Sequence, residues 1–280
     1  MIEPTRLQAG ASTLLGTAGA LVVASILALA LLAGCGEKET AVNVAGDDQA
    51  APAGDYRPAP ELLGGGVLGD GSVQLFGSAT PGAVVRLRSP DGAQQFATAD
   101  ARGVWRFTLA ASPQPRLLGL SMSDKGQIVQ AVSFLFLSPD GMVARLKAGG
   151  GTQAAAPSKP GLAALALDYD NQRAATLSGA SGPHETVTVR VDGVERGQAT
   201  ADSTGRFVLP LPLLPAGAHE FDLMGATQEV HFSASIDAPA ALSQAQYAAT
   251  RAGQGWRVDW RTPGGGGQTT LILGPSAPGP

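Results

Sequence analysis

The sequence predicts an all-β chain built as two tandem β-sandwiches, and three observations predict it. The 280 residues include 38 glycines and 20 prolines, which punctuate a chain of short strands and turns better than one of long helices. Apolar residues alternate with polar ones at Trp105-Phe107-Leu109 and at Val187-Val189-Val191, the period of a strand with one face in a core. A long segment also recurs: Ala97–Leu109 reappears as Ala199–Leu211, always at an offset of 102 residues. Trp105 falls on Phe207, Phe107 on Leu209 and Leu109 on Leu211. Solenoid units repeat every 20–50 residues or so, so a period this long is that of a domain.

Taken in order, the chain starts with a mostly apolar segment, Leu14–Ala33, preceded by Glu3 and by Arg6 as its only basic side chain. It closes on Leu32-Ala33-Gly34-Cys35, which contains the only cysteine. Ala33 and Gly34 are small enough for extended backbone to enter a peptidase cleft, Leu32 suits an apolar pocket, and the Cys35 thiol is a thioether-forming group. These four residues resemble the lipobox of bacterial lipoprotein precursors. The resemblance implies that residues 1–34 are a signal peptide removed before Cys35. It also implies a diacylglyceryl group on the Cys35 sulfur and a third acyl chain on the new amino terminus. At roughly 0.8 kcal/mol per buried methylene, two or three such chains hold a protein at a membrane. Gly36, in place of aspartate, implies sorting to the outer membrane of a bacterial cell envelope, facing periplasm or surface. The competing reading is an uncleaved anchor in a single-pass membrane protein. The apolar segment approaches the ~20 residues that span a bilayer and exceeds the usual signal core of roughly 7–15. Both readings put the carboxy-terminal part outside the cytoplasm.

Residues 35–66 contain Glu37-Lys38-Glu39, Asp47-Asp48 and Arg57-Pro58-Ala59-Pro60 with few large apolar side chains. They are expected to be a disordered tether, reaching on the order of 30 Å root-mean-square. A first sandwich is expected over 67–147, a flexible Gly- and Ala-rich linker over 148–160 and a second sandwich over 161–237. Asp91-Gly92 and Asp192-Gly193 signal hairpin turns. Asp100-x-x-Gly103 and Asp202-x-x-Gly205 signal longer turns in which Asp accepts from main-chain amides.

Two motifs then resemble bacterial immunoglobulin-like domains: Gly77-Ser78-Ala79-Thr80-Pro81-Gly82-Ala83-Val84-Val85-Arg86-Leu87, and the run from Thr98 to Phe107. The second copy departs from the pattern, with Pro183-His184-Glu185 for Pro-Gly-Ala and Phe207 for the tryptophan. The resemblance implies tandem immunoglobulin-like sandwiches. It implies no particular function, because such modules serve as spacers, adhesins and accessory domains.

Chemistry is sparse. Net charge is −4 and charged residues are 15% of the chain, against about 25% in ordinary proteins; nothing here is a footprint for nucleic acid. A lone cysteine excludes an intrachain disulfide. His184, His219 and His231 lack zinc-motif spacing, and no Gly-x-Ser-x-Gly elbow occurs. Gly264–Gly267 lacks the Lys-Ser/Thr of a phosphate loop. Asp100 and Asp202 supply too few oxygens for calcium, which takes roughly 6–8. The extension 238–273 reads as a β-hairpin with Trp256-Val258-Trp260 alternating and a Pro263–Gly267 loop, followed by a disordered tail, 274–280. Trp256 and Trp260 are candidate binding residues that could stack on a sugar or peptide, with Arg257 and Arg261 on the opposite face. The competing reading packs the indoles onto the second sandwich. The expectation is therefore a noncatalytic exported lipoprotein, an envelope scaffold or binding module without metal or cofactor. Its partners would be the membrane, through the lipid, and an envelope protein or glycan. The alternative is an accessory subunit or cryptic hydrolase, which requires clustered Asp and Glu in one cleft.

Overall fold

The computed structural model describes residues 57–154 and 161–274, all within one compact unit, and every regular element among them is a strand. The signal segment, Leu32–Cys35, most of the expected tether and the tail lie outside the described residues.

The first copy of the repeat forms β1 (Glu61–Val67), β2 (Val73–Ser78), β3 (Val84–Arg88), β4 (Gln94–Thr98), β5 (Val104–Leu109), β6 (Arg116–Asp124) and β7 (Gln127–Leu137). A first sheet runs β1-β2-β5. It faces a second that runs β4-β3-β6-β7 and continues into β8 (Val143–Lys147) and β9 (Gln153–Ala154). The second copy forms β10 (Ala163–Asp170), β11 (Ala175–Ala180), β12 (Thr186–Val191), β13 (Val194–Thr200), β14 (Arg206–Leu211), β15 (Gly217–Met224) and β16 (Glu229–Ile236). The chain ends in β17 (Tyr247–Ala252), β18 (Gly255–Arg261) and β19 (Gly267–Ile272). The third sheet is β14-β11-β10-β19-β18-β17 and the fourth β13-β12-β15-β16. In both copies strands one, two and five face strands four, three, six and seven. This is the antiparallel order of immunoglobulin-like sandwiches.

The repeat is structural down to individual contacts. Gly77 pairs with Trp105 and Gly179 with Phe207 across equivalent strands. A Cβ on Gly77 would lie 2.3 Å from the Trp105 ring, and one on Gly179 2.2 Å from the Phe207 ring. Each aromatic therefore lies flat over a glycine, and both are buried. Asp100 Oδ1 accepts from the amides of Arg102 (2.8 Å) and Val104 (2.9 Å), and Asp202 Oδ1 from those of Thr204 (2.8 Å) and Arg206 (3.0 Å). These bonds close the two turns. Even the bulge in the opening strand recurs, at Leu62/Gly64 and at Ala164/Ala166.

Three boundaries differ from expectation. The tether gives way to β1 before residue 66, because Gly64 and Gly65 let the strand lie against Phe76 and Leu75, where a Cβ would meet ring or methyl carbon at 2.6 Å. The linker is held over its first half, where Gln153–Ala154 adds to β8; residues 155–160 lie outside the described residues. The expected hairpin is present as β18–β19, and β17 joins it to make a three-stranded meander continuing the third sheet through β10.

Each sandwich encloses a core. Leu75, Val85, Trp105 and Leu135 centre the first, and Leu167, Leu177, Val189 and Phe221 the second. A third core lies between them. Leu117, Phe136, Ala144 and Leu146 on the outer face of the second sheet pack against Leu165, Trp256, Val258 and Trp260 on the third. The described chain is thus a stack of four sheets, with the central strands of the middle two buried on both faces.

Candidate functional site

Alternation along β18 decides where its side chains go. Trp256, Val258 and Trp260 point into the third core, at 7%, 0% and 0% exposure. Trp260 meets Phe134 edge-on at 5.6 Å between ring centroids, and its indole N–H donates to Thr270 Oγ1 at 3.1 Å. Trp256 lies 6.0 Å from Phe136 and donates to Asp140 Oδ1 at 3.2 Å, with the Arg251 guanidinium 4.8 Å above its ring. Stacking on a sugar or peptide needs exposed faces, and these rings have none to offer. They pack as the competing reading had it, but against both sandwiches and not the second alone.

Arg257 and Arg261 do leave from the opposite face of β18, and they are bound to the chain itself. Arg257 forks onto Asp259, at 2.9 Å from Nε and 3.0 Å from Nη2, and also reaches the Tyr169 hydroxyl and the Ala238 carbonyl. Asp259 holds its guanidinium above the ordinary arginine value. Arg261 donates to the carbonyls of Leu242 and Ser243. The pair fastens the connector between β16 and β17 over sheet that the fourth sheet leaves uncovered.

A polar knot locks the sandwiches in register. Asp168, 2% exposed, accepts at Oδ1 from Thr270 Oγ1 (2.6 Å) and Thr152 Oγ1 (2.7 Å), and at Oδ2 from the Thr152 amide (2.8 Å). Gln268 joins it, accepting from the Gly149 amide and donating to the Lys147 carbonyl, each at 3.0 Å. Burial pushes the Asp168 carboxyl up, against these donors. Enclosed on all sides, it anchors the turn after β8 and has no access to a substrate. Among the described residues no group of three or more His, Cys, Asp or Glu could hold a metal.

The edge of the third sheet overhangs the second and leaves two adjoining clefts. One, of about 400 Å³, is bordered by Arg86, Arg88 and Arg261 over Phe134 and Leu117, and no carboxylate lines it. Arg86 is oriented by a 3.1 Å bond from Nε to Ser121 Oγ, while Arg88 is exposed. The other, of about 540 Å³, is bordered by Arg116, Tyr247 and Asp91. Arg116 Nε is buried without a partner, and burial lowers its guanidinium from the ordinary value. Three arginines thus border an apolar floor, with Arg261 reaching it while its Nη2 donates to Leu242 and Ser243. Arg86 and Arg88, two apart on β3, show in the sequence that its outer face is basic. Nothing there shows that Arg261 comes to meet it.

No protein-family profile matches the chain, and no curated protein is similar to it in sequence. Similar solved structures include the central fibronectin-III array of RIM-binding protein, at 13% identity and a TM-score of 0.27, covering 79% of this chain and 87% of that one. The BSP domain of a biofilm associated protein matches at 12% identity and TM-score 0.24, over 66% of this chain and 30% of that one. Invasin, described as a bacterial integrin-binding protein, matches at 11% identity and TM-score 0.23, over 79% and 55%. The fold assignment rests on the strand order above.

Proposed function

We propose that the chain is a noncatalytic, exported lipoprotein whose welded sandwiches form an envelope scaffold with one anion-accepting binding cleft. The observation that carries the binding role is the Arg86–Arg88–Arg261 cleft, because it concentrates basic groups, excludes carboxylates and exists only where the two sandwiches meet. The fused third core supports the scaffold role, since it removes the hinge that ordinarily separates tandem modules. The partner is an envelope protein or glycan bearing acidic groups, and the membrane is engaged through the lipid on Cys35. Leu32, Ala33 and Gly34 direct the cleavage.

Two measurements test this. Cys35→Ala should leave a lipid-free, unprocessed precursor; unchanged mobility and unchanged detergent partition would assign the segment to an uncleaved anchor. Crosslinking in envelope fractions should recover an acidic partner that Arg88→Glu fails to recover. Equal recovery by Arg88→Glu would remove the cleft from the proposal.

A further inference from the structure

The two modules differ at their opening strand. β1 and β10 are repeat equivalents, with the same antiparallel neighbour and the same bulge. β10 is buried along nearly its whole length between β11 and β19. β1 ends its sheet, and Leu63, Gly65, Gly66 and Val67 are exposed. Leu63 is 61% exposed where its equivalent, Leu165, is 5% exposed.

What covers β10 shows what β1 lacks. The Leu273 amide donates to the Leu165 carbonyl at 2.9 Å, and the ladder continues through Leu167↔Leu271 and Tyr169↔Thr269. Main-chain groups alternate in direction along a strand. The equivalents of Leu167 and Tyr169, which are Gly65 and Val67, therefore turn their N–H and C=O away from β2, to the side on which no described strand pairs with β1. Among the described residues, the segment leading into β1 starts at the other sheet, with Arg57 paired to Asp124 at 3.0 Å at the end of β6. Beside this edge the second sheet runs on through β8 and β9. A cleft of about 140 Å³ there is lined by Pro60, Glu61, Arg145, Lys147 and Gln153 among others.

We propose that the open edge of β1 receives an extended peptide from a partner polypeptide as an antiparallel strand, with acidic side chains over Arg145 and Lys147. Strand addition draws its affinity from main-chain bonds and its selectivity from alternate side chains. Side chains on the inner face meet Arg145 and Lys147, which outnumber Glu61. Those on the outer face meet Leu63 and Phe76, the latter 39% exposed with its ring over Gly64. A second copy of the chain is a poorer occupant. Two-fold pairing of β1 with itself would bring the other copy's β8–β9 overhang, with its own Arg145 and Lys147, into the same space.

This inference deepens the binding-module reading, and its failure is separable, because the Cys35 and Arg88 experiments do not involve β1. The probe is a fluorescent peptide with the sequence of residues 267–273, carrying T269D and L271D so that aspartates face the overhang. It should bind the detergent-solubilised full chain. Val67→Pro removes one outward N–H at a sheet edge that tolerates proline, and should weaken binding about tenfold, the order expected for one main-chain bond. A peptide N-methylated at the amide facing β1, used on the unaltered chain, should lose binding similarly. Lysine in place of the two aspartates should weaken it further. Failure of the aspartate peptide to bind, equal binding by Val67→Pro, or equal binding of the lysine peptide would overturn the proposal. So would a sedimenting dimer that Val67→Pro dissolves, which would give the edge to a second copy.

Discussion

Trp260→Ala is the sharpest probe of the welded stack. The ring is fully buried, belongs to neither sandwich core and meets Phe134 from the opposite sandwich. Truncating a buried tryptophan costs about 3–5 kcal/mol, a large part of the 5–15 or so that stabilises a domain. The loss falls on the shared interface, so it should do more than lower the midpoint. Wild type should unfold in one transition, since Phe134, Phe136 and Leu146 support β18 while β18 supports them. In Trp260→Ala the sandwiches should separate into two transitions, followed by far-ultraviolet circular dichroism against urea and by calorimetry. With Trp256→Phe as a common background, Trp105, buried within the first sandwich, is the one tryptophan left in the variant, and its fluorescence reports the first module. A single transition displaced by less than about 1 kcal/mol would refute the reasoning, because it is what an exposed or loosely packed indole would give.

Gly77→Ala and Gly179→Ala should each destabilise the chain by about 1–3 kcal/mol in urea melts, since the new methyl would lie 1.9 Å from the Glu61 carbonyl or 2.5 Å from that of Ala163. Gly150→Ala should lose a similar amount, because φ is +99° there and a Cβ would stand 2.6 Å from the Thr176 side chain. Stability should also fall as pH rises above about 6.5, the ordinary histidine value. Asp222, at 2.6 Å from Nδ1, is the main group holding His231 protonated, with Glu220 at 3.0 Å from Nε2. At His219 burial opposes the charge, but the Pro215 carbonyl and Asp192 outweigh it. Both folded-state values are raised, so their contribution is complete below the unfolded value and is lost as pH climbs through the folded ones. Urea melts across that range should flatten in the double variant His219→Gln/His231→Gln; an unchanged slope would mean the histidines do not contribute.

Strands with one buried face were legible. Val104–Leu109, Thr186–Val191 and Arg206–Leu211 alternate cleanly because their outer sides meet water. Strands buried on both faces were not. β8 has Val143 in the first core and Ala144 and Leu146 in the third, which erases the two-residue period. β1 was hidden differently, by Gly64-Gly65-Gly66, residues that read as breakers yet here permit close contact. The Trp256–Trp260 alternation announced a strand with an apolar face, but a sequence period cannot name the surface that face meets. Asp168 carried no signal either, since its partners Thr152, Gln268 and Thr270 come from distant parts of the chain.

The low charge of the chain follows from the same arrangement. A sandwich in isolation keeps the outer faces of both sheets wet and must clothe them in polar residues. Here the outer face of the second sheet and that of the third are spent on each other, so 15% charged residues suffice. The outer face of the fourth sheet carries Arg190, Glu220, Asp222 and His231, with His231 bridged to both carboxylates, as a face turned to water does. At the other end of the stack the equivalent of β10 was left without its β19. The meander β17–β19 closes the edge of β10, while β1 stays an edge strand on which main-chain bonding capacity and an exposed apolar side chain, Leu63, coincide.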